Sequence, residues 1–132
     1  MRFYIATGFA RQKEHNQIRD ALIAQGHHVT YDWTMAVNQQ VGQEPEIAEG
    51  EIWGVTSSDF VVVLLPGKYG THAELGAALA SNIKVFLSGP KDAVCIFYHH
   101  PLVSYVEDEA QLLGEIRTWV DAEHDRARAN EP

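Results

Sequence analysis

Residues 60–76 read Phe60-Val61-Val62-Val63-Leu64-Leu65-Pro66-Gly67-Lys68-Tyr69-Gly70-Thr71-His72-Ala73-Glu74-Leu75-Gly76. The stretch opens as an uninterrupted apolar run from Phe60 to Leu65, rich in β-branched valine and far short of a membrane span. A strand that is apolar on both alternating faces suits the centre of a parallel sheet covered by helices on each side. Pro66 and Gly67 end it, and an Ala- and Leu-rich segment from about Thr71 to Ser81 predicts a helix. A strand, a glycine-containing turn and a helix in that order make most of a right-handed βαβ unit.

The flanking sequence repeats the alternation. Phe3-Tyr4-Ile5-Ala6 is a short strand ended by Thr7-Gly8, and Ile18, Leu22 and Ile23 mark one face of a helix from about Gln12 to Gln25, with Gly26 as its C-terminal cap. His28 to Tyr31 alternates, as an edge strand does, and Ile47, Ile52 and Val55 predict a helix between about Pro45 and Ser57. Lys84 to Leu87 is a further strand, closed by Ser88-Gly89-Pro90, and a weaker one lies around Leu102 to Val106. Leu112, Leu113, Ile116, Trp119 and Val120 recur at helical spacing, and the chain turns polar from Arg126. The pattern predicts an α/β fold: a flavodoxin-like, doubly wound, five-stranded parallel sheet with helices on both faces. One domain is expected over 1–125, followed by a frayed polar tail over 126–132.

Composition narrows the partners. The 132 residues carry 10 Lys+Arg against 18 Asp+Glu, a formal net charge of −8, which argues against binding polymeric DNA or RNA. The single cysteine, Cys95, rules out an internal disulfide framework and a Cys-based zinc site. The chain opens Met1-Arg2-Phe3-Tyr4 without a signal-peptide pattern, so a soluble cytoplasmic protein with no membrane partner is expected. Seven histidines include the adjacent pairs His27-His28 and His99-His100, but strand neighbours point to opposite faces and no His-Glu-x-x-His pattern occurs. No metal site is expected.

Ligands of doubly wound sheets bind beyond the carboxyl ends of the strands, where the strand order reverses. That selects the loops Thr7 to Arg11, Pro66 to Gly70 and Ser88 to Asp92. The first lacks G-x-G-x-x-G spacing, Gly67-Lys68 is not followed by Ser or Thr as in a P-loop, and Asp59 precedes its strand where a receiver's phosphoacceptor would follow. Glu74 stands three residues after Thr71, which fits a Thr-x-x-Glu capping box; the same carboxylate would also lie at the crevice, beside a helix N-terminus that favours anions. Gly76 would permit a close approach by backbone or substrate. Asp59 reads as a turn residue and Glu51 as part of a solvated face with Glu44, Glu46 and Glu49, while Trp33 and Tyr98 suit either packing or stacking on a base.

Three blocks of the chain resemble the nucleoside 2-deoxyribosyltransferase-like family, which includes nucleotide N-glycosidases. Tyr4-Ile5-Ala6-Thr7-Gly8-Phe9 resembles its opening strand and glycine loop, with Tyr4 at the place of the active-site tyrosine. Glu51 to Asp59 resembles its block with an acid, a Gly-hydrophobic pair and an aspartate before the strand. Gly70-Thr71-His72-Ala73-Glu74-Leu75-Gly76 resembles the nucleophile block, with Glu74 at the position of the catalytic glutamate. The likeness extends from Phe3 to about Val120.

The resemblance implies cleavage of an N-glycosidic bond without metal or redox cofactor. An ionised Glu74 would attack C1′ of the sugar, Tyr4 would orient it by a hydrogen bond, and Glu51 would contact or protonate the departing base. A second base would then take the (deoxy)ribosyl group, or water would. The implied substrate-binding residues are Gly8, Phe9, Arg11, Trp33, Gly67, Lys68, Gly70 and Thr71. A homodimer or larger assembly is implied too, with Tyr98, His99 and His100 completing a neighbour's site. Lys68 departs from the family: many of its nucleoside transferases carry an aspartate there, against the sugar hydroxyls. A cation suits a 5′-phosphate better, although a lysine on a glycine-rich loop also reads as simply solvated. Arg11 would reach the same region. A non-catalytic nucleotide-binding module on this fold would keep the glycine loops but have no need for both Tyr4 and Glu74.

Overall fold

The computed structural model describes residues 1–39, 41–90 and 95–132. Along the chain run β1 (Arg2–Ala6), α1 (Gln12–Ala24), β2 (His28–Val29), α2 (Glu44–Thr56), β3 (Phe60–Leu64), α3 (Tyr69–Ala80), β4 (Lys84–Ser88), β5 (Val103–Val106) and α4 (Glu109–Ala129). Short 3-10 segments occur at Phe9–Arg11, Trp33–Gln39 and Ile96–His99. The strands form one five-stranded parallel sheet in the order β2-β1-β3-β4-β5, the flavodoxin-like arrangement that the sequence predicts.

Side-chain alternation along the strands divides the core into two layers. Tyr4, Ala6, Val61, Val63, Val85 and Leu87 face α2 and α3, where Val55, Leu75 and Ala78 meet them. Phe3, Ile5, Phe60, Val62, Leu64 and Phe86 face α1 and α4, where Ile18, Leu22, Leu112, Ile116 and Val120 complete the layer. Every residue of β3 is buried, as its unbroken apolar sequence requires. Phe60 centres the second layer: its ring lies 6.0 Å from Phe3 and Phe86, 5.9 Å from Trp119 and 5.6 Å from His27.

Element ends show where local signals were sufficient. Gly26, at φ +93°, terminates α1; its N–H donates to the Ile23 carbonyl and that of His27 to the Leu22 carbonyl. The edge strand β2 is shorter than the expected His28 to Tyr31: it spans His28–Val29, after which the Thr30 N–H donates to the Phe3 carbonyl at 2.9 Å and its hydroxyl to the Gly54 carbonyl of α2 at 2.7 Å. α4 continues to Ala129, so the frayed end expected from Arg126 is corrected: polar side chains in an exposed helix are compatible with helical order, and Arg126–Glu123 and Arg128–Asp125 pairs span its last turns. Among the described residues no helix is long and apolar enough to cross a membrane. Replacing the central ring, Phe60→Ala, is expected to lower unfolding free energy by about 3–5 kcal/mol, read from urea denaturation.

Candidate active site

Strand order reverses between β1 and β3, which pair with Tyr4 opposite Val61 and Ala6 opposite Val63. Their carboxyl ends open onto a cavity of about 460 Å³. One wall is the loop after β1, with Thr7, Gly8, Phe9 and Ala10; the opposite wall is the loop after β3, with Pro66, Gly67 and Lys68, continued by Gly70 and Thr71 of α3. Trp33, Glu51 and Glu74 close the remaining sides.

Glu74 is buried, and the Tyr4 hydroxyl donates to its Oε2 at 2.5 Å, the hydrogen bond expected from the adjacency of the first and third strands. Burial pushes the Glu74 carboxyl up from 4.5 to about 8; the Tyr4 hydrogen bond opposes this, and the charge of nearby Glu51 adds to it. Burial, followed by the charges of Glu74 and Glu51, raises Tyr4 far above an ordinary phenol, so the tyrosine keeps its proton and acts as the donor. Glu51 is half-buried, and burial raises its carboxyl as well. It stands apart from the solvated face to which the sequence also allowed it to belong.

The capping box does not form. α3 begins at Tyr69 with Lys68 as its N-cap, no side chain caps it, and Glu74 lies in its second turn, bonded to Tyr4. Thr71 and Glu74 share spacing because both are buried on the inner face of the helix, and a helix face and a capping box place residues equally at i and i+3. Glu74 thus sits in the second turn of the helix instead of at the N-terminus expected for it, and burial shifts its carboxyl toward the neutral form.

Glycines bring the elements together. A Cβ on Gly54 would fall 2.7 Å from Tyr31 Cβ and 2.9 Å from Tyr4 Cδ2, and one on Gly50 would fall 2.5 Å from Tyr31 Cε2. These two positions, one helical turn apart on α2, let the helix close on Tyr31 and Tyr4, which carries Glu51 to the cavity. Sequence reasoning missed Tyr31 and this role of Gly50; the spacing of the two glycines was the available signal. Gly67 packs on Thr71, whose Cγ2 would lie 2.5 Å from an added Cβ. Gly76, in contrast, is exposed with open space around it, so the close approach expected there is not made within the chain.

Trp33 is buried with its indole N–H donating to the Ile5 carbonyl at 3.0 Å, and Phe9 meets it edge-on at 5.6 Å, forming an aromatic side of the cavity. Lys68 is exposed and lines the mouth. Arg11 is a correction: its guanidinium donates to the Leu65 carbonyl and pairs with Glu109 of α4, away from the cavity. Tyr98 is buried and bonded to His72, while His99 is exposed; neither reaches the cavity within the chain. Asp59 accepts the Arg2 backbone N–H at 2.7 Å, as a turn residue would. Ser88 and Gly89 of the third candidate loop are described and do not line the cavity, whereas Lys91 and Asp92 lie outside the described residues. Among the described residues no group of three or more His, Cys, Asp or Glu could hold a metal ion.

Two outcomes follow from this packing. Gly54→Ala is expected to cost about 1–3 kcal/mol in unfolding free energy, because backbone must retreat from the Tyr31 Cβ and the Tyr4 ring. Glu74 is neutral in the folded state over a range where the unfolded chain ionises it, so its contribution to stability is full below 4.5 and is gone once pH passes about 8. Urea midpoints measured against pH are expected to fall across that interval for the wild type and to stay flatter for Glu74→Gln.

No family model matches the sequence, and no curated protein matches it. Solved structures do share its fold. A CMP N-glycosidase of Clostridium botulinum superposes with a TM-score of 0.64 at 19% identity, covering 89% of this chain and 99% of that one. The 2-deoxyribosyltransferase of the psychrotolerant bacterium Bacillus psychrosaccharolyticus superposes at 0.67 and 19% identity, covering 82% and 87%. Both are proteins of the kind that the three sequence blocks resemble, and at this identity the likeness shared with them is that of the fold.

Proposed function

We propose that this protein cleaves the N-glycosidic bond of a (deoxy)nucleoside or nucleotide with Glu74 as nucleophile, and passes the (deoxy)ribosyl group to a second base. The observation that carries the reading is the Tyr4–Glu74 hydrogen bond at the edge of the cavity between β1 and β3. A buried carboxyl held by a phenol, on the strand reversal where this fold binds ligands, is costly to stability and suited to attack on an electrophilic carbon. The names of the two structural neighbours, a CMP N-glycosidase and a 2-deoxyribosyltransferase, support the same chemistry.

In the first half-reaction a Glu74 oxygen forms a bond to C1′ as the C1′–N bond breaks. The base leaves with the electron pair and takes a proton from Glu51, whose raised pKa suits it to hold one. Positive charge grows on the sugar in the oxocarbenium-like transition state, and the Glu74 carboxylate opposite stabilises it. In the second half-reaction a nitrogen of the incoming base attacks C1′, its proton returns to Glu51, and Glu74 is released. The Phe9–Trp33 side of the cavity offers each base in turn an apolar face.

A second reading is hydrolysis of a nucleoside 5′-monophosphate, and Lys68 favours it. A cation at the mouth, where the neighbours of the nucleophile begin, would hold a phosphate. Chromatography of free-base release from nucleosides and their 5′-monophosphates, with and without an acceptor base, separates the two. A new nucleoside formed only with acceptor supports transfer; base release from monophosphates without acceptor supports hydrolysis; silence across the panel refutes both and leaves a binding module.

Glu74→Ala and Glu74→Gln are expected to abolish turnover with the fold retained by circular dichroism. Lys68→Ala is expected to weaken monophosphates by about 1–3 kcal/mol more than nucleosides in kcat/KM. Because the reaction needs Glu74 ionised while Glu51 holds its proton, kcat/KM is expected to follow a bell-shaped pH profile whose alkaline limb lies near about 8. Glu51→Gln removes the proton donor and is expected to lower kcat and to abolish the alkaline limb, leaving a rise that follows ionisation of Glu74.

A further inference from the structure

The loop from Leu65 to Lys68 forms the outer wall of the cavity and has no regular secondary structure, yet it is gripped at both ends. At its start the Leu65 N–H donates to the Ser88 carbonyl at 2.7 Å, and the Leu65 carbonyl accepts from Arg11. Gly89, at φ +112°, lies so close that an added Cβ would sit 2.2 Å from that carbonyl oxygen, and its own carbonyl accepts the Tyr105 hydroxyl at 2.6 Å. Glu109, in the first turn of α4, pairs with the same Arg11 guanidinium, whose side chain is 15% exposed.

At the other end the Lys68 carbonyl accepts two bonds from one residue: the His72 backbone N–H at 3.2 Å and the His72 ring Nδ1–H at 2.7 Å. A carbonyl can only accept, so the proton is on Nδ1, and Nε2 is left to accept the Tyr98 hydroxyl at 2.6 Å. Arg11, Glu109, His72 and Tyr98 are all absent from the described lining of the cavity. They stand behind the loop.

We propose that Arg11 and His72 are positioning residues that set the cavity loop from its two ends, backed by Glu109 and Tyr98 respectively. Arg11 fixes where the chain leaves β3, and His72 fixes where Lys68 enters α3. Neither touches substrate. Their effect on turnover passes through Pro66, Gly67 and Lys68, and this consequence rests on the reading of the cavity as the catalytic site. Beyond the Leu65–Ser88 bond no ladder bond holds the loop among the described residues, so losing either grip lets the Lys68 ammonium and the wall move against the substrate.

Hydrogen exchange tests the proposal without any assumption about activity. In Arg11→Ala the amides of Leu65 and His72, which donate to the Ser88 and Lys68 carbonyls, are expected to exchange about tenfold faster, as on losing one charge-assisted hydrogen bond. Glu109→Gln is expected to show a smaller change in the same amides, and Arg11→Lys to restore part of the protection. Ile116→Val, which loosens the far layer of the core, controls for global destabilisation and is expected to leave the Leu65 and His72 amides slower than Arg11→Ala does. His72→Asn keeps a donor near the Nδ1 position and is expected to retain protection that His72→Leu loses.

With substrate, Arg11→Ala is expected to raise KM for a 5′-monophosphate about tenfold with a smaller change in kcat. That rise is expected to shrink in the Lys68→Ala background, since both substitutions act through one loop. Unchanged exchange in the loop, or a KM effect that adds in full to that of Lys68→Ala, would overturn the proposal. A wild-type protein inert toward every nucleoside and nucleotide would instead refute the catalytic reading, and the exchange experiment would still decide whether the grips exist.

Discussion

The pairing of β1 with β3 is the constraint on which the rest of the site depends. With Tyr4 opposite Val61, the phenol projects on the same side of the sheet as α3, and the inner face of that helix delivers Glu74 to it. Nothing in the local sequence around either residue would produce this contact, since 70 positions separate them. It arises because a parallel sheet whose order reverses at β1 and β3 leaves the two strand ends side by side, with their loops diverging to opposite faces. The gap between the loops is the cavity, and its most buried polar pair sits directly beneath it.

That arrangement sets the electrostatics. A carboxyl taken out of water and given only a phenol as partner favours its proton, and a second acid close by reinforces the preference. The folded protein therefore carries a group whose ionisation works against stability, and its neighbours are arranged to keep it there. Gly50 and Gly54 remove the side chains that would hold α2 away from Tyr31 and Tyr4, and Gly67 does the same for Thr71. Larger residues at these points would relieve crowding by moving the walls outward. Close packing of backbone against aromatic ring keeps water out, and low water content is what makes a carboxylate effective opposite a developing positive charge.

The strands and helices were legible in the sequence because burial writes a period on them. Phe60 to Leu64 is apolar throughout and is buried throughout, and Gly26 ends α1 through the backbone conformation it alone adopts easily. Glu74 and Tyr4 stood out through the order of strand, loop and helix and through family resemblance. The loop residues were another matter. Arg11 is a cation in a candidate loop whether it faces a ligand or a protein carbonyl, and its anionic partner Glu109 lies 98 residues away. Tyr98 reads alike as a stacking ring and as a phenol bonded to His72. Thr71 and Glu74 fit a capping box and a buried helix face equally well, and only the true start of α3 at Tyr69 separates these. In each case sequence supplies the chemistry of the side chain and tertiary contact supplies its direction.

On the second proposed reading, with a nucleoside 5′-monophosphate as substrate, this acidic protein would have to admit an anion past its own negative field. The net charge is −8, and the cavity contains Glu51 and Glu74. If both were ionised at rest they would repel a phosphate from the very site it has to reach. Burial pushes the Glu74 carboxyl up to about 8 and raises that of Glu51 too, which shifts both toward their neutral forms. On the reading of a monophosphate substrate, Lys68 would then act at the mouth against a weakened opposing field. On the proposed mechanism the reactive form is the one in which Glu74 is already ionised, and its carboxylate gains a partner as C1′ becomes electron-poor. The same desolvation that makes the free carboxyl a weak acid thus serves entry of the anion first and stabilisation of the cation afterwards, with the β1–β3 contact holding the group in place for both.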